Sequence, residues 1–202
     1  MTLQERLALL IAAIAPIGRA AHAREPAATA GSYLTAAINA TALTTLAGAA
    51  GRMDLYPYIP GRNISVDLLS IEVTTLVAGA QARIGMYSSN AAGAPAQLLT
   101  GAGTLLDCGS TGAKNSTLAP SPLVLVKGNI YWLAVLSSST AAVRALSSNA
   151  VMPLSGAATG GSHNTILRAT GLTFASGLPT TAPVGAARAP NIAPPLVRLR
   201  LA

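Results

Sequence analysis

From residue 53 onward the side chains change character at every second position, and that period rules out a helical body. Ile64, Val66 and Leu68 alternate with Ser65 and Asp67, and the pattern runs on through SIEVTTLV. A period of two sends successive side chains to opposite faces of a pleated strand, whereas a helical face repeats every 3.6 residues. Further short runs follow: QARIGMYSS, a Gly/Ala/Pro loop, GAGTLLDCG, SPLVLVKGNIYWLAVLSSS, AVRALSS, NTILRATGLTF and the terminal LVRLRLA. Lys127-Gly128-Asn129 reads as a hairpin-like turn between LVLV and IYWLAVL. In the last run Val197, Leu199 and Leu201 alternate with Arg198 and Arg200, which predicts a half-buried strand with a basic outer row. Strands at roughly 8–12-residue spacing with turn residues between them predict a mainly β fold, a jelly-roll-like antiparallel sandwich over residues 53–202.

The first 52 residues have a different texture. Thr2 and Glu5 make a capping box. Leu3, Leu7, Leu10, Ile14 and Ile17 then recur at spacings of four and three, the seam of a short coiled coil. Pro16 and Gly18 end it. So short a helix is marginal in water and needs sister chains, a socket in another protein or its own downstream domain. The expectation is an anchoring or oligomerisation helix over 1–17, followed by an Ala/Gly-rich linker over 18–52. LALLIAAIAPIGRAAHA, residues 7–23, also has the outline of a secretory leader. Glu5 beside Arg6 and the heptad spacing favour a retained helix with no cleavage.

Composition narrows the functional classes. Hydrophobic residues make up 51% and charged residues 9%, against roughly a quarter charged in ordinary globular proteins. Small neutral side chains therefore cover much of the surface, which suits a protein packed among neighbouring subunits. The net charge of +7 comes from singly scattered basic residues, without the basic cluster and interleaved aromatics of a nucleic-acid site, so no nucleic-acid partner is expected. No apolar stretch reaches the roughly 18–20 residues of a membrane span, so no membrane insertion is expected.

Catalytic chemistry finds few candidates. The acids are Glu5, Glu25, Asp54, Asp67, Glu72 and Asp107. Asp67 and Glu72, five apart, would face opposite sides of one continuous strand and make no glycosidase pair. His22 and His163 are far apart and lack a carboxylate at ligand spacing. Cys108 is alone and reads as a small buried hydrophobe. The Gly-bearing stretches lack the strand–turn–helix setting of a phosphate loop. No catalytic, metal or cofactor residues are expected, and the chain is not expected to be an enzyme. Tyr131 and Trp132 point to opposite faces of one strand with apolar neighbours on both, which favours a packed Trp132. Tyr56 and Tyr58, two apart in a proline-stiffened segment, share a face. Tyr87, Ser89 and Asn90 end a strand and open a loop, so with Trp132 they form a candidate rim for a glycan.

The run YPYIPGRNISVDLLSIEVTTLVAGAQARIGMYSSNAAGAPAQLLTGAG and the later GNIYWLAVLSSS resemble β-sandwich domains of phage tail-fibre and head-spike-type virion proteins, including the spikes of gene transfer agents. TLQERLALLIAAI resembles helices that open many phage appendage proteins. The resemblance covers residues 53–140 and the helix. It implies a virion structural protein, oligomeric and expected here as a trimer, with capsid, portal or tail components as partners and a β domain that contacts host surface polysaccharide. The alternatives are a capsid or tail decoration protein without receptor contact, a secreted lectin-like adhesin and a depolymerase.

Overall fold

Residues 64–75, where the alternation is longest, form one twelve-residue strand on which a seven-stranded antiparallel sheet is assembled. The computed structural model describes residues 29–37, 43–100, 105–119, 121–151, 154 and 163–202. The helix expected over 1–17, with Leu3, Leu7, Leu10, Ile14 and Ile17, lies outside the described residues. Over those residues the chain is mainly β, in two antiparallel sheets that face each other.

The first sheet holds β1 (Tyr33–Leu34), β2 (Thr44–Ala47), β4 (Ile64–Thr75), β8 (Gly112–Thr117), β9 (Leu123–Leu125), β11 (Ala142–Ala145) and β14 (Arg198–Leu201). The second holds β3 (Arg52–Tyr58), β5 (Gln81–Ser89), β6 (Pro95–Thr100), β7 (Leu106–Asp107), β10 (Tyr131–Ser137), β12 (Asn164–Ala169) and β13 (Ala187–Pro190). One flank of β4 is lined by β9 and then β8, the other by β14 and then β11, with β1 beyond β14 and β2 beyond β11. The second sheet runs β13–β12–β3–β10–β5, and β6 and β7 share the far flank of β5. Two of these strands, β1 and β2, lie in the segment expected as linker, so the sheet takes in residues well before 53.

Lys127-Gly128-Asn129 does not join hairpin partners. β9 pairs with β4 in the first sheet and β10 with β3 and β5 in the second, so the turn is a crossover between layers. Gly128 takes a φ of 79°, Asn129 N–H donates to the Val126 carbonyl, and Gly128 N–H donates to the Pro60 carbonyl. That last bond ties the turn to a neighbouring loop rather than to a ladder.

The alternation in β4 contains a phase change. Between Arg200 and Leu201 of β14, the facing residue in β4 moves from Leu68 to Val66 and leaves Asp67 over as a bulge. Ile64 and Val66 face the core before the bulge, and Leu69, Ile71 and Val73 face it afterwards. From the other sheet, Tyr56, Tyr58, Ile84, Met86, Leu133, Val135 and Ile166 fill the same core. Tyr56 and Tyr58 thus share a face, as their spacing predicts, but that face is the interior. The buried Tyr56 hydroxyl accepts a hydrogen bond of 2.9 Å from Val197 N–H.

The second sheet is also covered on its outer side. Met53, Leu55, Tyr87, Trp132, Ala134 and Leu136 pack there against Leu172, Phe174, Leu178, Ala182 and Ala186 from the segment after β12. That strap is tied down by Leu172 N–H to the Gly51 carbonyl, Leu98 N–H to the Thr180 carbonyl and Ala182 N–H to the Ala96 carbonyl. It lies so close that a Cβ on Gly85 would stand 2.6 Å from Leu178 Cδ1 and 2.6 Å from the Thr100 carbonyl oxygen.

At one end of the inner face Asp54, only 4% exposed, receives Arg168 Nε at 2.7 Å and Arg52 Nε at 3.1 Å. Arg168 stands directly across from Asp54 in the β12–β3 ladder, and Arg52 also donates to the Ala47 carbonyl. Removing the carboxylate would leave two largely covered guanidinium groups without their anion. Asp54→Ala is therefore expected to cost about 3 kcal/mol, read from urea unfolding at neutral pH. A loss near that of an ordinary surface substitution, within about 0.5 kcal/mol, would show that the triad carries no such weight.

Candidate functional site

Three connections meet at one end of the sandwich: residues 59–63, 90–94 and 126–130. Gly128 N–H bonds to the Pro60 carbonyl, Lys127 N–H to Asn63 Oδ1, and Ser89 Oγ to the Ile130 carbonyl at 2.7 Å. The 90–94 loop is built around one side chain. Asn90 Oδ1 accepts from Ala92 N–H and Ala94 N–H, both at 3.0 Å, and Asn90 N–H donates to the Ala94 carbonyl. Asn favours such turns because its side chain stands in for a backbone acceptor. Trp132 Nε1 pins the loop from below, at 3.1 Å from the Gly93 carbonyl and 3.2 Å from Ser89 Oγ.

The loop is a ridge with a depression on either side. On the side of β9 lies a broad groove of about 840 Å³ lined by Ser88, Asn90, Val124, Asn129 and Ile130 among others. On the side of β12 lies a smaller pocket of about 320 Å³ whose wall includes Pro57, Trp132, Leu154 and Leu167, with Arg188 among the lining residues. The pocket follows from Pro57. Proline has no N–H to give a ladder, and the pairing of β12 with β3 extends only from Ala169 to Leu167, opposite Met53 to Leu55. Beyond Leu55, β12 pairs with β13 through a register shift between Asn164 and Ile166. The gap left beside Pro57 and Ile59 is the pocket.

The structure separates the four residues expected at a glycan rim. Tyr87 is wholly buried: its hydroxyl donates to the Pro179 carbonyl at 2.8 Å and burial pushes its pKa up. It supports the strap, which corrects the expectation of a rim position. A strand-ending Tyr looked accessible because the strap that covers it comes from some ninety positions later. Trp132 is 5% exposed, with its N–H spent on the loop, so it serves as pocket wall rather than as a free stacking platform. Ser89 is tied to Ile130 and Trp132. Asn90 is exposed on the ridge, and its side-chain carbonyl is committed to the turn. Ser89 and Asn90 line the groove and Trp132 the pocket, so these three meet around one loop.

The acids fall elsewhere. Asp67 and Glu72 do not face opposite sides, because the extra residue at Asp67 resets the phase and turns both outward. Asp67 is held by a two-pronged Arg200, Nε at 2.9 Å and Nη2 at 2.8 Å. Glu72 receives Arg144 at 3.0 Å and Arg198 at 3.1 Å. The basic outer row expected on the last strand is thus the cationic half of a surface ion-pair ladder, and neither acid is free for proton transfer. Asp107 accepts from Gly109 N–H at the opposite end of the sandwich. Burial, with Asp107 beside it, pushes the Cys108 thiol up, away from the reactive thiolate. Among the described residues no three His, Cys, Asp or Glu side chains gather at a metal-binding distance, and no helix is long and apolar enough to cross a membrane.

Pro57, Leu167 and Arg188 escaped the sequence reading. The available signal was a proline inside a strand with aromatics on both sides, which marks a place where a ladder stops. Nothing local in ARAP, residues 187–190, identifies Arg188 as a neighbour of Trp132.

The ladder sets a pH response. Arg200 holds the Asp67 carboxyl below its ordinary range, and Arg144 followed by Arg198 does the same for Glu72. Carboxylates depressed in the folded state contribute stability above the unfolded pKa and lose it as pH falls through the folded value. Both are partly exposed, so the contribution is small. In a carboxyl-carbon NMR titration, Arg200→Gln is expected to return Asp67 to the ordinary carboxylate range while Glu72 stays depressed. An unmoved Asp67 would mean that its partner in solution is not Arg200.

Compared with known proteins, the chain matches no protein-family model, and no curated protein matches it in sequence.

Proposed function

We propose that this chain is a virion structural protein, a subunit of a fibre or spike on a phage or phage-like particle, whose β body attaches to a host surface polysaccharide. The observation that carries this reading is the strand order. One sheet contains β2–β11–β4 with β8 and β9 sharing the next place, and the other contains β3–β10–β5 with β6 and β7 sharing the next. The chain passes back and forth between the layers as it builds them. This is the order of a jelly roll, eight strand positions in two Greek keys, to which β1, β12, β13 and β14 are additions. Jelly rolls recur in viral capsid and lectin domains.

A fold alone does not confer a function. The second support is the site: a groove and a pocket flank one rigid loop on a scaffold end, where binding residues are habitually carried. The third is the surface, low in charge and rich in small neutral residues, which suits a subunit among copies and partners. Residues 1–17 would supply docking to capsid, portal or tail components or to sister chains in a trimer, and many weak heads on one particle would hold a cell surface by rebinding. A decoration role without receptor contact draws on a different observation, the exposed Val124 and Val126 at 59% and 46% beside the groove, which suit burial against a neighbouring protein.

The two readings part in one experiment. Antibody-labelled electron microscopy of particles from the source culture is expected to place the chain on projecting fibres or spikes, and the full-length chain is expected to bind purified host polysaccharide. Label spread over the capsid or tail shell with no polysaccharide binding would favour decoration. Label on no particle would remove the virion assignment.

A further inference from the structure

The pocket beside Pro57 has a chemical bias that its neighbours do not. Arg188 stands directly across from Leu167 in the β12–β13 ladder, and Leu167 stands across from Leu55 in the next ladder. The guanidinium is therefore carried on the same outer face as the apolar wall of Pro57, Trp132 and Leu167. Unlike Arg52, Arg144, Arg168, Arg198 and Arg200, each paired with a carboxylate, Arg188 has no hydrogen-bond or ion-pair partner among the described residues. The described acids Asp54, Asp67 and Glu72 are all held by other arginines, and Asp107 lies at the far end. The loop over the pocket is spent internally: the Gly93 carbonyl accepts from Trp132, the Ala94 carbonyl accepts from Asn90, and the Ala92 and Ala94 N–H groups go to Asn90 Oδ1. Among the described residues, what remains is an apolar wall with one unneutralised cation. At about 320 Å³ it sits at the lower end of the roughly 300–1,000 Å³ typical of ligand pockets.

We propose that this pocket binds a carboxylate-bearing sugar residue of an acidic polysaccharide, with the Arg188 guanidinium gripping the carboxylate and the ring's C–H face lying on Pro57 and Leu167. The inference rests on the attachment reading and specifies its ligand. A guanidinium matches a carboxylate in a two-pronged geometry that a hydroxyl cannot reproduce. An apolar wall with a single directing polar group is the usual make-up of a small-ligand site. The chain's charge of +7 favours approach of a polyanion.

The test is calorimetric or NMR titration of the full-length protein with trigalacturonate and with its neutral counterpart, galactotriose. The acidic trisaccharide is expected to bind saturably and more tightly, with affinity falling as salt is raised. Arg188→Gln is expected to weaken it by about tenfold to a hundredfold without changing the melting temperature, since Arg188 has no partner among the described residues. Arg188→Lys should recover part of that loss. Ala92→Phe, which fills the pocket from an exposed loop position and leaves the cation in place, should abolish binding. Equal affinity for both sugars, indifferent to Arg188→Gln, would overturn the acidic specificity and leave glycan attachment standing. Acidic binding lost in Arg188→Gln but unaffected by Ala92→Phe would overturn the pocket as the site. If neither sugar binds at millimolar concentration the inference is overturned, while attachment itself is decided by binding of the purified host polysaccharide.

Discussion

Each sheet partner of β4 is positioned by where along that strand it pairs. β9 and β14 meet the first half and β8 and β11 the second, so the strand is the spine of its layer. The extra residue at Asp67 resets the side-chain phase of the strand, with Leu118 N–H capping the Asp67 carbonyl on one side and Arg200 gripping its side chain on the other. The bulge therefore decides which residues are core and which are surface for half the sheet. It also lets Arg198 and Arg200 find Glu72 and Asp67 on one face, and it removes the acids from catalytic duty by neutralising them.

The second sheet meets a different demand, burial on both faces. Its inner side packs on the first sheet and its outer side on the strap, so β10 reads YWLAVL with hardly a polar residue. Gly85 is one point where that arrangement is tight, because no side chain fits between the strand and Leu178. The strap stops short of the Pro57 corner. Among the described residues, the remainder of the outer face there, closed at one side by the Asn90 ridge, is the pocket beside Pro57.

Much of this architecture is visible in the sequence, and the misses have physical causes. QARIGMYSS is a strand from end to end, AVRA and RLRL fall where alternation put them, and Trp132 is packed as its apolar neighbours implied. Strands β6, β8 and β13 passed unseen. GAKNST and ARAP hold no bulky apolar residue in alternation, and they are strands because β4 and β12 offer them partners. The same holds for β1 and β2, which look like linker until β14 and β11 are in place. For the site, local reading found the polar turn at Ser89 and Asn90. It misplaced Tyr87, whose cover arrives from a distant segment, and passed over Arg188, whose meaning depends on a register between β12 and β13 that no local window contains.

Gly31 N–H bonds to the Leu201 carbonyl and Ala202 N–H to the Ser65 carbonyl. The described chain therefore enters the sheet alongside its last strand, at the end where the three loops meet. Mechanically, a pull through residue 29 along the strand axis loads the β1–β14–β4 ladders in shear, with their hydrogen bonds strained together rather than peeled one after another. A ligand held beside the Asn90 ridge would be tugged at that same end, so tether and ligand would both load one end of the body. The far end, with its connections at 48–51, 76–80, 108–111 and 138–141, lies off that line, and its loops can change length without lying in the path of the force.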